Sequence, residues 1–216
     1  MPRRGHPFSN FFHRLICAAT FFGEGKWLSD FVTPNEPDVI LLYRQIAADM
    51  SSGDAIIACW NWVANQVKYK NFIQAAITVE GKTSYQDDYW QSPAVCSKTH
   101  VGNCANKAFL LTSLLRNTLP QNEVYCVLGN LYNGHGAGHA WVETVINGEN
   151  YIVEATRNDV PMTRAIDTDR YEAVHYFNDK EMYAVPGKTV MTPFQACYSS
   201  WLKDYIDWSY INAQKR

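Results

Sequence analysis

Gly138-His139-Ala140-Trp141-Val142-Glu143-Thr144-Val145-Ile146-Asn147-Gly148-Glu149-Asn150-Tyr151-Ile152-Val153-Glu154-Ala155-Thr156 is a pair of alternating segments split by Asn147-Gly148. That dipeptide between two such runs is the strongest short signal for a two-residue type I′ hairpin turn. The turn fixes a register. With Ile146 facing Glu149, Trp141 falls opposite Glu154 and His139 opposite Thr156. His139 and Glu154 then share a face as diagonal neighbours, about 7–8 Å apart at the backbone and within side-chain reach. A four-residue loop would instead set Asn158 opposite His139, and Asn158 or Asp159 would compete for the acid's place.

Upstream, Gly102-Asn103-Cys104-Ala105 heads an apolar helical run in which Cys104, Ala108, Leu111 and Leu115 recur at helical spacing, widened by Leu110 and Leu114. This reads as a central buried helix with a thiol at its N-terminus. Unpaired backbone N–H groups and the positive end of the helix dipole favour a thiolate there. Gly102 and Asn103 are small enough to admit a substrate backbone, and the N–H groups around Cys104 can stabilise an oxyanion. A histidine that takes the thiol proton and a glutamate that orients the imidazole complete the set needed for nucleophilic acyl chemistry. Cys104, His139 and Glu154 are the candidate catalytic residues.

Before Cys104 the pattern is helical. Ile40, Leu41, Tyr43, Ile46 and Ala47 suggest one buried face, and a second helix capped by Asp54 runs through Trp60, Trp62, Val63 and Val67. The segment 81–101 is polar and turn-rich, with Tyr89-Trp90-Gln91-Ser92-Pro93 on a loop or short helix. After Pro120 the period becomes that of strands: Glu123–Leu128, His139–Ile146, Tyr151–Thr156, Ala173–Phe177 and Met182–Val185. Phe194–Ile211 reads as a closing amphipathic helix. Helices followed by a meander of strands imply an α+β domain. Residues 1–35 read as an N-terminal arm packed on or extending from the core, and residues 36–216 as one domain.

With 216 residues, 47% hydrophobic and 14% aromatic, the chain can bury one large core. Nineteen basic against 21 acidic residues leave no electrostatic footprint for nucleic acid or an anionic membrane surface. No run approaches the length of a membrane span. The start, Met1-Pro2-Arg3-Arg4, is basic, but His13 and Arg14 interrupt the apolar stretch a signal peptide requires. With no Asn-x-Ser/Thr acceptor, the chain reads as soluble and intracellular. The six cysteines are scattered, and a domain this large needs no disulfides.

These blocks resemble the transglutaminase-like superfamily of papain-fold cysteine enzymes. Tyr89-Trp90-Gln91-Ser92-Pro93 and Gly102-Asn103-Cys104, followed by Ala108-Phe109-Leu110-Leu111 and Leu114-Leu115-Arg116, look like the segment leading into its nucleophile helix. Gly138-His139-Ala140-Trp141-Val142-Glu143 looks like its histidine strand, and Tyr151-Ile152-Val153-Glu154-Ala155-Thr156 like its acid strand. The resemblance implies a papain-like core in which Cys104 attacks a carboxamide or peptide carbonyl of a peptide or protein substrate. Water then resolves the thioester in a protease or amidase, and an amine in a transglutaminase. It also implies an oxyanion donor from the upstream segment, Gln91 or the Trp90 indole.

Two departures stand out: the family usually has aspartate where this chain has Glu154, and Ala105 and Asn106 follow the cysteine where calcium-dependent bacterial relatives carry acidic residues. No calcium site of that kind, and no other cofactor, is expected. Two other readings compete. Cys96, His100 and Cys104, with His135 and His139, are spaced by fours as zinc ligands can be, but no compact CxxC pair is present. An inactive papain-like module could also bind a peptide through the chain's seven tryptophans and thirteen tyrosines.

Overall fold

The computed structural model describes residues 28–71, 73, 75–79, 82–86, 90–133 and 135–188. The helix expected over Phe194–Ile211 and most of the 1–35 arm lie outside them. Among the described residues four α-helices precede a six-stranded antiparallel sheet, which is the α+β architecture the sequence predicts.

Helix α1 (Pro37–Ala47) buries Val39, Leu42 and Ala47, with Tyr43 and Ile46 packed against the core. Leu41, expected inside, is exposed. The stripe runs through Val39, Leu42, Tyr43 and Ile46 at i, i+3, i+4 and i+7, which turns Leu41 outward. Helix α2 (Ser52–Gln66) is capped by Ser51, whose Oγ accepts the Asp54 N–H at 3.2 Å. The expected cap, Asp54, sits inside the first turn and accepts the Ser51 hydroxyl. Its carboxylate there complements the positive end of the dipole.

Strand β1 (Lys68–Tyr69) is followed by a separate hairpin of β2 (Ala75–Val79) and β3 (Lys82–Gln86). The polar stretch after it contains a further helix, α3 (Pro93–Thr99), which Ser92 caps and which ends at His100 in the left-handed region, φ 54°. Short β4 (Val101–Gly102) pairs in parallel with β1 and delivers the chain to α4 (Cys104–Leu115).

Every residue of α4 is buried. It lies between α2 on one side and the sheet on the other, so the face left polar on an ordinary surface helix is absent. Its buried hydroxyls, Thr112 and Ser113, donate to the carbonyls one turn back, of Ala108 and Phe109. Ser113 Oγ also accepts the Thr33 N–H. A short 3-10 turn at Leu28–Phe31 docks here, with Phe31 stacked on Phe109 at 5.0 Å.

The main sheet is built from β5 (Val124–Asn133), β6 (His135–Ile146), β7 (Glu149–Val153), β8 (Met162–Arg164), β9 (Tyr171–Phe177) and β10 (Met182–Ala184), in the order β10-β9-β5-β6-β7-β8. Alternation splits its residues between two clusters. Cys126, Leu128, Ala140, Val142 and Val153 join the core around α4, while Val127, Trp141 and Ile152 form a smaller cluster. The β6–β7 turn has positive φ at both Asn147 (53°) and Gly148 (82°), and Ile146 faces Glu149, as the register from sequence requires. Among the described residues no helix is long and apolar enough to cross a membrane.

Candidate active site

Cys104 is the first residue of α4, and the chain reaches it through a reciprocal cap. Asn103 Oδ1 accepts the Asn106 N–H at 3.0 Å, and Asn106 Oδ1 accepts the Asn103 N–H at 3.1 Å. This capping box fixes the entry angle of the helix and satisfies the Asn106 donor. The N–H groups of Cys104 and Ala105 stand outside the helical ladder by geometry. Gly102 is also required by packing. A Cβ there would lie 2.9 Å from Asn106 Cβ and 3.2 Å from Cys96 Sγ, so its smallness lets α3 and α4 pack together.

His139 sits on β6 opposite Gly129, 8% exposed. Its Nε2 is 2.8 Å from Glu154 Oε2. An ionised carboxylate only accepts, so Nε2 carries the proton, and Nδ1 is the nitrogen left for Cys104. The Cys104 side chain adjoins this imidazole and helps to raise it. Burial by itself would push His139 down. The Glu154 carboxylate and the neighbouring Cys104 side chain outweigh it and hold the imidazole raised, at about 10. The ring also stacks on Trp141 at 6.2 Å and 21°.

Glu154 follows the last ladder residue of β7, Val153. Its backbone carbonyl accepts the Trp60 indole N–H from α2 at 3.0 Å instead of continuing the sheet. Its Oε1 accepts both the N–H (2.9 Å) and the hydroxyl (2.7 Å) of Thr156. Oε2 accepts His139 and the hydroxyl of Tyr171, the latter at 3.1 Å. Burial would raise this carboxyl, but His139 and the Thr156 donors hold it below its ordinary value. The alternatives considered for the acid lie elsewhere: Asn158 is exposed, and exposed Asp159 is paired with Arg157.

Gln91 is buried, with its Nε2 donating to the Val101 carbonyl and its Oε1 accepting from Thr99, so it braces the strand that leads into Cys104. Trp90 is packed edge-on against Phe31 and Phe109 in the core. The zinc spacing is used otherwise. His100 Nδ1 faces the Gln66 carbonyl at 3.0 Å, and Cys96 Sγ lies 3.9 Å from the Val101 carbonyl. Among the described residues no group of three or more His, Cys, Asp or Glu side chains is arranged to hold a metal ion.

Three features escaped the sequence reading. Tyr171 and Trp60 reach Glu154 from elements far away in the chain, and no local pattern announces them. Lys107 is buried in α4, one turn from Cys104, with Nζ donating to the Ala64 and Val67 carbonyls at the end of α2. Burial lowers its ammonium to about 8. Burial has the opposite effect on the other described thiols, raising Cys59 and Cys96 to about 12 and Cys126 well above its ordinary value. None of those three supplies a thiolate near neutral pH.

No family model matches the chain, and no curated protein matches it. Among solved structures, the chain is similar to Legionella pneumophila LapG, with 15% identity and a TM-score of 0.45 over 82% of this chain and 83% of that one. Calcium-bound LapG of the same organism aligns at 13% identity and a TM-score of 0.41, over 80% and 99%. A structure from Cytophaga hutchinsonii described as a candidate cysteine protease aligns at 18% and 0.42, over 76% and 55%. These likenesses are distant.

Proposed function

We propose that this protein is a cysteine-dependent acyl-transfer enzyme of the transglutaminase-like kind, hydrolysing peptide, isopeptide or side-chain amide bonds. The observation that carries the reading is the His139 imidazole held between the Cys104 side chain and the Glu154 carboxylate. The order Cys104, His139, acid along the chain and the blocks around each residue support it.

In this reading the Cys104 thiol gives its proton to His139 Nδ1, and Sγ attacks the substrate carbonyl carbon. The oxyanion forms beside the backbone N–H of Cys104, with the second amide hydrogen of Gln91 as a side-chain candidate. His139 passes the proton to the leaving nitrogen, the C–N bond breaks, and a thioester remains on Cys104. Water then attacks the thioester while His139 takes its proton, and the acid departs as that proton returns to sulfur. Glu154 keeps its charge throughout and orients the ring.

Mass spectrometry of a peptide library incubated with the protein, with and without a primary amine, tests the proposal beside a Cys104→Ala control. Hydrolysed or deamidated products that vanish in the control are expected. Ammonia release with amine incorporation would make it a transglutaminase. Peptide retention without turnover would make it a binding module, and cleavage that survives in the control would remove Cys104 from the mechanism.

A further inference from the structure

Tyr171 opens β9, two strands away from His139 in the sheet, yet its side chain belongs to the His139–Glu154 pair. Its ring lies against His139 and Trp141, with centroids 6.4 and 5.1 Å apart. Its hydroxyl donates to Glu154 Oε2, the oxygen that also accepts His139 Nε2–H. With Thr156 donating twice to Oε1, the carboxylate receives four hydrogen bonds, which fills its acceptor capacity.

We infer that Tyr171 is a positioning residue that sets how strongly Glu154 holds the His139 imidazolium. The assignment deepens the proposed function, because it rests on Cys104 and His139 acting as a nucleophile–base pair. A neutral hydroxyl on Oε2 takes up part of the carboxylate's charge without adding a positive charge of its own. The imidazolium therefore feels a weaker anion, and gives up its proton to a leaving group more readily than it would beside an unshared carboxylate. At the same time the second donor fixes the direction of Oε2, so the carboxylate cannot rotate away from Nε2. Thr156 alone would leave that oxygen free to swing. The same saturation gives a role to the longer side chain at position 154, whose carboxylate spans from Thr156 in the turn after β7 to Tyr171 on β9.

Tyr171→Phe keeps the ring and removes only the hydroxyl. The test is the rate of Cys104 alkylation by iodoacetamide as a function of pH, a reaction that requires no substrate. In the wild type the profile should contain an upper step where the imidazolium loses its proton. In Tyr171→Phe that step is expected to move up by about one pH unit, the scale of a hydrogen bond to a charged group. Tyr132→Phe is the control, since the Tyr132 hydroxyl bonds Glu172 instead and should leave the profile where it is. Circular dichroism and the thermal midpoint check that both variants fold. Superimposable upper steps in Tyr171→Phe and wild type, with rates merely scaled, would reduce Tyr171 to a packing residue and overturn the inference. A shifted step in a protein that turns over no amide would leave this inference standing and remove only the proposed reaction.

Discussion

His139 Nε2 and Glu154 Oε2 lie 2.8 Å apart, although fourteen residues and a hairpin turn separate them and neither side chain is exposed. The pair is buried, directional and saturated, so replacing either member has consequences that can be stated in advance.

Glu154→Gln keeps the shape of the side chain but presents an amide where Thr156, Tyr171 and His139 all need acceptors. The imidazole loses its charge partner and its fixed tautomer. Turnover is expected to fall by about 10²–10⁴-fold, as when a triad acid is made neutral. Glu154→Asp keeps the charge, yet its shorter arm cannot hold Thr156 and His139 together, and a loss of about 10²-fold is expected from misplacement alone. Steady-state kinetics on any substrate found by the library screen reads both; wild-type rates in Glu154→Gln would dismiss the acid's role.

The same pair sets a pH window for stability. His139 is raised in the fold from 6.5 to about 10, so its contribution is fully present below 6.5 and is lost as pH rises towards 10. Glu154 is lowered from 4.5, so its contribution is present above 4.5 and is lost as pH falls through its lowered folded value. The thermal midpoint of the wild type should exceed that of Glu154→Gln most between 4.5 and 6.5, and the gap should close on either side. Calorimetry across the range checks this; a gap widening above neutral pH would contradict it.

Gly129 faces His139 across the β5–β6 ladder and lies at the irregularity where β5 meets β9. A Cβ there would sit 2.2 Å from the Glu172 carbonyl and 2.5 Å from Trp141 Cη2, the ring that stacks on His139. Backbone on one side and a fully buried indole on the other leave nothing to yield. Gly129→Ala should cost about 3 kcal/mol, the upper end of overpacking losses, and lower activity as well, measured by urea unfolding and turnover on the same preparation.

Asn103→Ala removes one half of the capping box. A loss of about 1 kcal/mol is expected, or about 2–4 °C in midpoint for a domain of this size. Because the cap aims the first turn of α4, Cys104 alkylation should slow in the same variant, whereas an unchanged rate would separate the cap from the placement of Cys104.

How much of this was legible follows the range of each interaction. The Asn147-Gly148 turn, the start of α4 at Cys104 and the shared side of His139 and Glu154 could be read because each rests on neighbours in sequence: turn chemistry, helical period and strand alternation. The phase of α1 slipped by one residue, since Leu41 and Leu42 are equally apolar and only packing chooses between them. The cap of α2 was placed three residues late because Ser51 and Asp54 are both good caps. The β2–β3 hairpin and β8 escape local pattern, because β2 is a five-residue run without clear alternation and β3 and β8 are short strands in polar sequence.

The sequence by itself determined the α+β class, the hairpin register and the three residues on which the chemistry is proposed to run. Tertiary structure alone decided what surrounds them. Trp60 takes the Glu154 carbonyl across 94 positions, Tyr171 reaches its carboxylate from another strand, and Lys107 is drawn into the core by the free carbonyls ending α2. Those contacts satisfy buried polar groups, and such groups take whichever partner the fold brings within about 3 Å. Local pattern records which way a side chain faces, but not which distant donor will arrive there.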